Sequence, residues 1–354
     1  MIPELGLIEG FFGRPWDWAE RIDAVRFLAP HGYRFYLYAP KADAFLRRRW
    51  QEPFPEARLG RLGDFASACR GAGVRFGVGL SPFELHLDCG RGWREPIAGK
   101  VAELDGLGLD DLAILFDDMR GDVAELAERQ AAIVHFAAER SRATRILCCP
   151  SYYSDDPVLD CAFGPRPPAY LERLGRLLDP AVRIMWTGEE VVSRQYSPGH
   201  LARIGEILGR KPFLWDNYPV NDGARMSQHL HLRAFTGRPA AIGPHLAAHG
   251  VNLASQPVLS RIPALTLAES YAQGEAYEYG AAFERAAGLV LGEALARQVR
   301  ADLIVLQDRG LDRLGELRAG LAQTYAAFDH PGAREVLDWL DGRWNEPGES
   351  VQTQ

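Results

Sequence analysis

The chain has 354 residues, of which 47% are hydrophobic, and a formal net charge of −7. That length allows one large domain plus a smaller one, with a sizeable core. The acidic balance leaves no general footprint for nucleic acid or an anionic membrane, and the one short basic run, Arg47-Arg48-Arg49, reads as a solvated helix face.

There is no run of about 18 apolar residues that would span a bilayer. The N-terminal Met1-Ile-Pro-Glu-Leu-Gly lacks the basic region and apolar core of a signal peptide, so the cytoplasm is the expected compartment. The cysteines are Cys69, Cys89, Cys148, Cys149 and Cys161. An odd count without regular spacing argues against a disulfide framework. Cys148 and Cys149 fall in an apolar run and read as buried free thiols.

One unit recurs along the chain: a short apolar strand, a polar loop, an amphipathic stretch. The first strand is 5–12, followed by a helix over 16–28. The second strand is 34–40 and the third 75–81. The fourth is the continuous apolar run from Leu112 that closes on Asp117 and Asp118. Such a run suits a strand buried on both faces, as in a parallel sheet covered by helices. The fifth to eighth strands are 145–151, 182–188, 212–217 and a weaker 250–255. Helical stretches fill 57–72, 95–107, 123–140, 167–178, 198–209 and 262–275.

Eight alternations within about 275 residues match an α/β fold of the (β/α)₈ barrel type. A doubly wound open sheet is the competing arrangement. No Gly-x-Gly-x-x-Gly follows a strand, and the chemically unusual residues come from many strands, which favours the barrel. The barrel is therefore expected over 1–278. Beyond it, 281–306, 309–327 and 333–344 have helical spacing, which predicts a helical C-terminal appendage over 279–345 and a frayed tail over 346–354. The amphipathic helices would cover the barrel's flank, shape a substrate groove or form a homodimer interface.

In a barrel of this kind, groups at the C-terminal ends of strands line the site. Asp117 and Asp118 stand at such an end. Adjacent carboxylates repel, so one tends to keep its proton near neutral pH, and a protonated acid beside an ionised one equips acid/base catalysis. Strand termination by Asp117 and helix capping by Asp118 is the plainer alternative. Other strand ends carry Glu9 to Trp16, Tyr38-Ala-Pro-Lys41, Ser151-Tyr152-Tyr153, Trp186-Thr-Gly188 and Trp215-Asp-Asn-Tyr-Pro-Val-Asn-Asp222. Each alone has a bland reading as core, rim, surface cation or turn. Together they put aromatic rings, amides and carboxylates on one face, which suits a sugar. His229 and His231 have no nearby acids, so no metal is expected there.

Five motifs carry a resemblance: Gly6-Leu-Ile-Glu-Gly-Phe-Phe-Gly-Arg-Pro-Trp16, Tyr38-Ala-Pro-Lys41, Phe116-Asp-Asp118, Trp186-Thr-Gly188 and Leu214-Trp-Asp-Asn217 with Asn221-Asp222. In this order, over residues 6–275, they resemble glycoside hydrolase family 84, the O-GlcNAcases and related bacterial β-N-acetylglucosaminidases. The resemblance implies a retaining enzyme in which the substrate's own 2-acetamido oxygen attacks the anomeric carbon, forming an oxazoline, without a cofactor. That departs from the usual scheme of two enzyme carboxylates.

By resemblance, Asp117 would hold the acetamido N–H and stay ionised, while Asp118 would protonate the leaving oxygen and then deprotonate water. Gly6 and Lys41 would meet sugar hydroxyls, Tyr153 the acetamido oxygen, and Asp222 the 4- and 6-hydroxyls. Trp215 would wall the N-acetyl pocket, Asn217 would bond near the acid/base end, and Trp186 counts with the sugar-binding set. The chain departs from the family's pattern in three places: Phe12 stands for Tyr, Ala42-Asp43 for two acids, and Gln256-Pro257 for Asn-Pro, which makes Gln256 the expected ligand there. The implied partner is a β-linked N-acetylglucosaminyl substrate, on a glycoprotein or glycopeptide or on a cell-wall or chitin-derived oligosaccharide. A catalytically idle sugar-binding module is the alternative from another class.

Overall fold

The short apolar runs need both faces buried, and a closed parallel barrel wrapped in helices buries them. In the computed structural model, which describes residues 2–87, 90, 92–344 and 353, eight parallel strands close into a barrel in chain order. They are β1 (Leu5–Glu9), β2 (Tyr33–Tyr38), β3 (Arg75–Leu80), β4 (Asp111–Leu115), β5 (Arg145–Cys149), β6 (Arg183–Trp186), β7 (Phe213–Asp216) and β8 (Ala248–Asn252). β1 pairs with β8, Gly6 opposite Gly250, which closes the ring and excludes the open doubly wound sheet.

Small residues inside the barrel make room for large ones. A Cβ at Gly6 would stand 2.3 Å from the Phe35 ring, and one at Gly250 would stand 2.5 Å from Ile8 Cδ1. Both glycines are thus packing positions.

The helices of the outer layer follow the strands: α1 (Trp18–Leu28), α2 (Glu56–Gly71), α3 (Arg94–Asp105), α4 (Leu126–Ala138), α5 (Val158–Phe163), α6 (Tyr170–Leu177), α7 (Pro198–Leu208), α8 (Gly223–Met226) and α9 (Arg261–Gln273). Their starts are written in the chain. Asp17 and Glu20 form a capping box for α1, and Ser197 accepts from the His200 N–H ahead of α7. No described helix is long and apolar enough to cross a membrane.

Beyond the barrel lie α10 (Tyr279–Leu291), α11 (Glu293–Ile304), α12 (Leu317–Ala326) and α13 (Pro331–Leu340). The single helix expected over 281–306 is two helices, because Gly292 takes φ 74 and breaks it. These helices grip the loops after β7 and β8. Glu335 accepts the Val258 and Leu259 N–H groups at 2.8 and 2.9 Å. Trp339 Nε1 donates to the Ser227 carbonyl at 3.2 Å. Between α11 and α12, Gln307 Oε1 accepts the Leu232 and Arg233 N–H groups, each at 2.9 Å.

Cys69, Cys148 and Cys149 are free and buried, and Cys161 is exposed. Cys89 and the expected tail 346–354, Thr353 apart, lie outside the described residues.

Candidate active site

A cavity opens at the C-terminal end of the barrel, where strand-end side chains converge. Lys41 after β2, Asp117 and Asp118 after β4, Tyr153 after β5, and Trp215, Asn217 and Asp222 on and after β7 all line it.

The two acids share one cavity because the chain turns between them. In a continuing strand, neighbouring side chains point to opposite faces. Pairing to β5 runs one residue past β4, with the Phe116 N–H donating to the Cys149 carbonyl at 2.9 Å. Asp118 then takes φ 54, in the left-handed region, which ends the alternation.

Their surroundings differ. Asp117 is buried and ion-paired through Oδ2 with buried Lys41, while its Oδ1 has no hydrogen-bond partner among the described residues. Asp118 Oδ1 accepts from the Tyr153 hydroxyl at 2.8 Å. Burial first, and then the charge of Asp117, push the Asp118 carboxyl above the ordinary carboxylate range; Lys41, Arg47 and the Tyr153 hydroxyl work against them. Asp118 thus holds its proton more tightly than an ordinary carboxyl does.

Opposite them, Asp222 Oδ2 accepts from the Phe12 N–H at 2.6 Å, and burial raises its carboxyl to about 6. Asn217 is held on three sides. Its Oδ1 accepts from Trp215 Nε1 and Asn252 Nδ2, each at 2.9 Å, and its Nδ2 donates to the Val191 carbonyl at 2.8 Å. Lys41 Nζ lies 5.7 Å from the Trp215 ring centroid, a contact worth up to a few kcal/mol only when well desolvated.

Three expected ligands lie elsewhere. Gly6 sits inside the barrel against Phe35; the glycine on the cavity wall is Gly10, where a Cβ would stand 2.1 Å from Trp215 Cζ2. Trp186 is fully buried and donates from Nε1 to His200 Nε2 at 3.1 Å, so its ring supports β6 from behind. Gln256 is buried beneath the site, accepting from Asn221 Nδ2 at 2.8 Å. The amide that reaches the cavity from the last strand is Asn252, whose Oδ1 accepts the Gly10 N–H at 3.1 Å.

Cys149, Thr187 and Val191 also line the cavity and were not among the expected ligands. Apolar or small residues at strand ends give no chemical signal. Asn252 did carry one, as an amide at the end of the weak eighth strand, but the Gln-Pro dipeptide four residues on drew the assignment away. His231 Nδ1 donates to the Pro219 and Val220 carbonyls, and burial lowers the ring to about 4. Among the described residues no cluster of three or more His, Cys, Asp or Glu could hold a metal ion.

A family model described as beta-N-acetylglucosaminidase matches residues 5–306, from β1 into the C-terminal helices. The chain belongs to the beta-N-acetylglucosaminidase family. It is 28% identical over 250 residues to proteins named Protein O-GlcNAcase from Rattus norvegicus and from Mus musculus, covering 68% of this chain. The chain spans only 27% of the length of those curated relatives. Among solved structures, an Asp-to-Asn mutant of the Thermobaculum terrenum O-GlcNAc hydrolase superposes with a TM-score of 0.78 at 26% identity, covering 95% of this chain and 80% of that one. Within the family's barrel, the cavity described above stands where strand-end chemistry is expected.

Proposed function

We propose that this chain is a retaining exo-β-N-acetylglucosaminidase that uses its substrate's acetamido group as the nucleophile. The observation that carries the reading is the pair Asp117 and Asp118 in one cavity, one with an open acceptor oxygen beside Lys41 and the other with its proton affinity raised.

In the first step the acetamido carbonyl oxygen bonds to the anomeric carbon as the glycosidic C–O bond breaks. Asp117 accepts the acetamido N–H and steadies the positive charge that gathers on the forming ring. Asp118 gives its proton to the leaving oxygen. In the second step Asp118, now a carboxylate, takes a proton from a water that attacks the anomeric carbon from the face the leaving group vacated; the oxazoline C–O bond at that carbon breaks, the acetamido group is restored and the configuration is retained. The Tyr153 hydroxyl, a donor to Asp118, would turn toward the acetamido oxygen. Asp222, Asn252 and Lys41 bind hydroxyls, and Trp215 walls the N-acetyl group. No step needs a metal or cofactor.

For the aglycone we propose the Ser or Thr of a glycoprotein, supported by the names of the relatives, Protein O-GlcNAcase and O-GlcNAc hydrolase. The test is hydrolysis of an aryl β-N-acetylglucosaminide with and without a thiazoline mimic of the oxazoline. Turnover blocked by the mimic supports the reading. Tight binding of the mimic without turnover would point to a binding module, and neither binding nor turnover would sink the proposal.

A further inference from the structure

The basic run 47–49 reads from sequence as one solvated face, and the structure divides it. Arg49 is exposed and pairs with Glu52, its Nε donating at 2.8 Å. Arg48 is exposed too, its guanidinium carbon 3.5 Å from the Phe83 ring centroid. Arg47 turns inward and is 2% exposed. Its guanidinium carbon lies 5.0 Å from the Phe83 centroid and 5.8 Å from that of Phe12, a cavity residue. Its Nη2 donates to the main-chain carbonyl of Asp118 at 3.2 Å.

A guanidinium is costly to bury without partners. This one is brought to Asp118, the residue of the site that, among the described residues, holds a left-handed backbone. The peptide orientation there decides where the Asp118 carboxyl points, because φ and ψ fix the direction of Cβ. Proton transfer demands a heavy-atom approach of about 3 Å, so a small rotation of that peptide would cost rate.

We infer that Arg47 is a positioning residue for the proton-transfer step, holding the Asp118 peptide in its left-handed turn and setting a positive charge behind the carboxyl. The inference rests on the reading of Asp118 as the proton donor. Two effects are separable. The hydrogen bond sets direction, and the charge favours the ionised form. Other groups act on the same carboxyl. Asp117 opposes ionisation, Lys41 and the Tyr153 hydroxyl favour it, and Asp222 and Cys149 lie within electrostatic range. Lys41 is already ion-paired with Asp117, so Arg47 is the second cation bearing on Asp118.

A merely structural arginine would depress all substrates and leave the pH profile in place. The full chain should therefore be compared as wild type, Arg47→Met and Arg47→Lys, in kcat/KM against pH and across β-N-acetylglucosaminides of graded leaving group. In Arg47→Met the basic limb, which reports ionisation of the proton donor, should move up by about half a pH unit. The same variant should lose about tenfold more on poor leaving groups than on activated aryl glycosides. Arg47→Lys should keep the wild-type limb, since the charge remains. It should share the leaving-group loss, since an ammonium does not reproduce the planar fork.

An unmoved limb in Arg47→Met, with equal losses across leaving groups, overturns the inference. If that variant fails to fold, Arg47→Lys decides, and a wild-type leaving-group dependence in it overturns the inference. Wild-type chain that turns over no β-N-acetylglucosaminide overturns the functional reading and this inference with it; an active wild type with flat Arg47 variants overturns this inference alone.

Discussion

A left-handed backbone costs an L-residue roughly 1–2 kcal/mol, and Asp118 adopts one at φ 54. In return, two consecutive acids face the same cavity with unlike surroundings. The account gives them unlike phenotypes. Asp118→Ala should hurt glycosides with activated leaving groups least, since those depart without a proton; an equal loss on all leaving groups would remove Asp118 as the acid. Asp117→Asn should depress every substrate by roughly 10²-fold or more, because an amide offers no charge to the forming oxazolinium. Turnover close to wild type in that variant would take Asp117 out of the chemistry. The pair was legible in the sequence as two acids at a strand's end, but the turn that aligns them was not. No residue type announces a left-handed aspartate, and Gly6 was read for Gly10 because both belong to one motif and only packing against Phe35 or Trp215 tells them apart.

Among the elements, the strands were legible because eight apolar runs of the right length leave little choice, and most helix positions followed from their spacing. The C-terminal helices were legible as helices but not as partners. Side chains far apart in sequence, such as Glu335 and Val258, carry no joint signal. Glu335 is buried with its carboxyl raised to about 8, burial outweighing the two N–H groups it accepts from the start of the loop leading into α9. Its folded affinity for a proton exceeds the ordinary value of 4.5, so its ionisation weakens the folded state as pH rises toward 8. Glu335→Ala strands two buried donors and should cost about 2–4 kcal/mol, seen as a lower urea midpoint. An unchanged midpoint would show that water replaces the carboxyl without penalty. By the same contacts, a chain cut after Glu278 should lose turnover and run as an aggregate in size exclusion; a monodisperse, fully active fragment would show that these helices do not support the site.

For the whole molecule, closure of the barrel places a buried ionic cluster beneath the cavity. Asp216 at the end of β7 accepts from Arg238 at 2.7 and 2.9 Å and lies 3.0 Å from His249 Nε2. Burial raises the Asp216 carboxyl, but Arg238 and His249 overturn that and bring it down to about 2 from an ordinary 3.8. Burial also lowers the His249 ring below its ordinary 6.5. Both groups bind protons more readily when unfolded. The stability they contribute is present above 6.5, begins to fall below it through His249, and falls further through Asp216 between 3.8 and about 2. The urea midpoint should decline through that window, and Arg238→Met should cost about 3–5 kcal/mol of stability at neutral pH by leaving a buried carboxylate unpaired, lowering the midpoint there too. A midpoint independent of pH down to 3 would deny the cluster that role.

The central claim is that the substrate supplies its own nucleophile beside Asp117 and Asp118. Its most direct test replaces the N-acetyl group of an aryl glycoside with mono-, di- and trifluoroacetyl groups and measures kcat/KM. Each fluorine withdraws electron density from the amide oxygen, so the account predicts a steep, monotonic fall across the series. Rates that ignore fluorination would mean that the amide oxygen forms no bond in the transition state, and the mechanism would have to be abandoned.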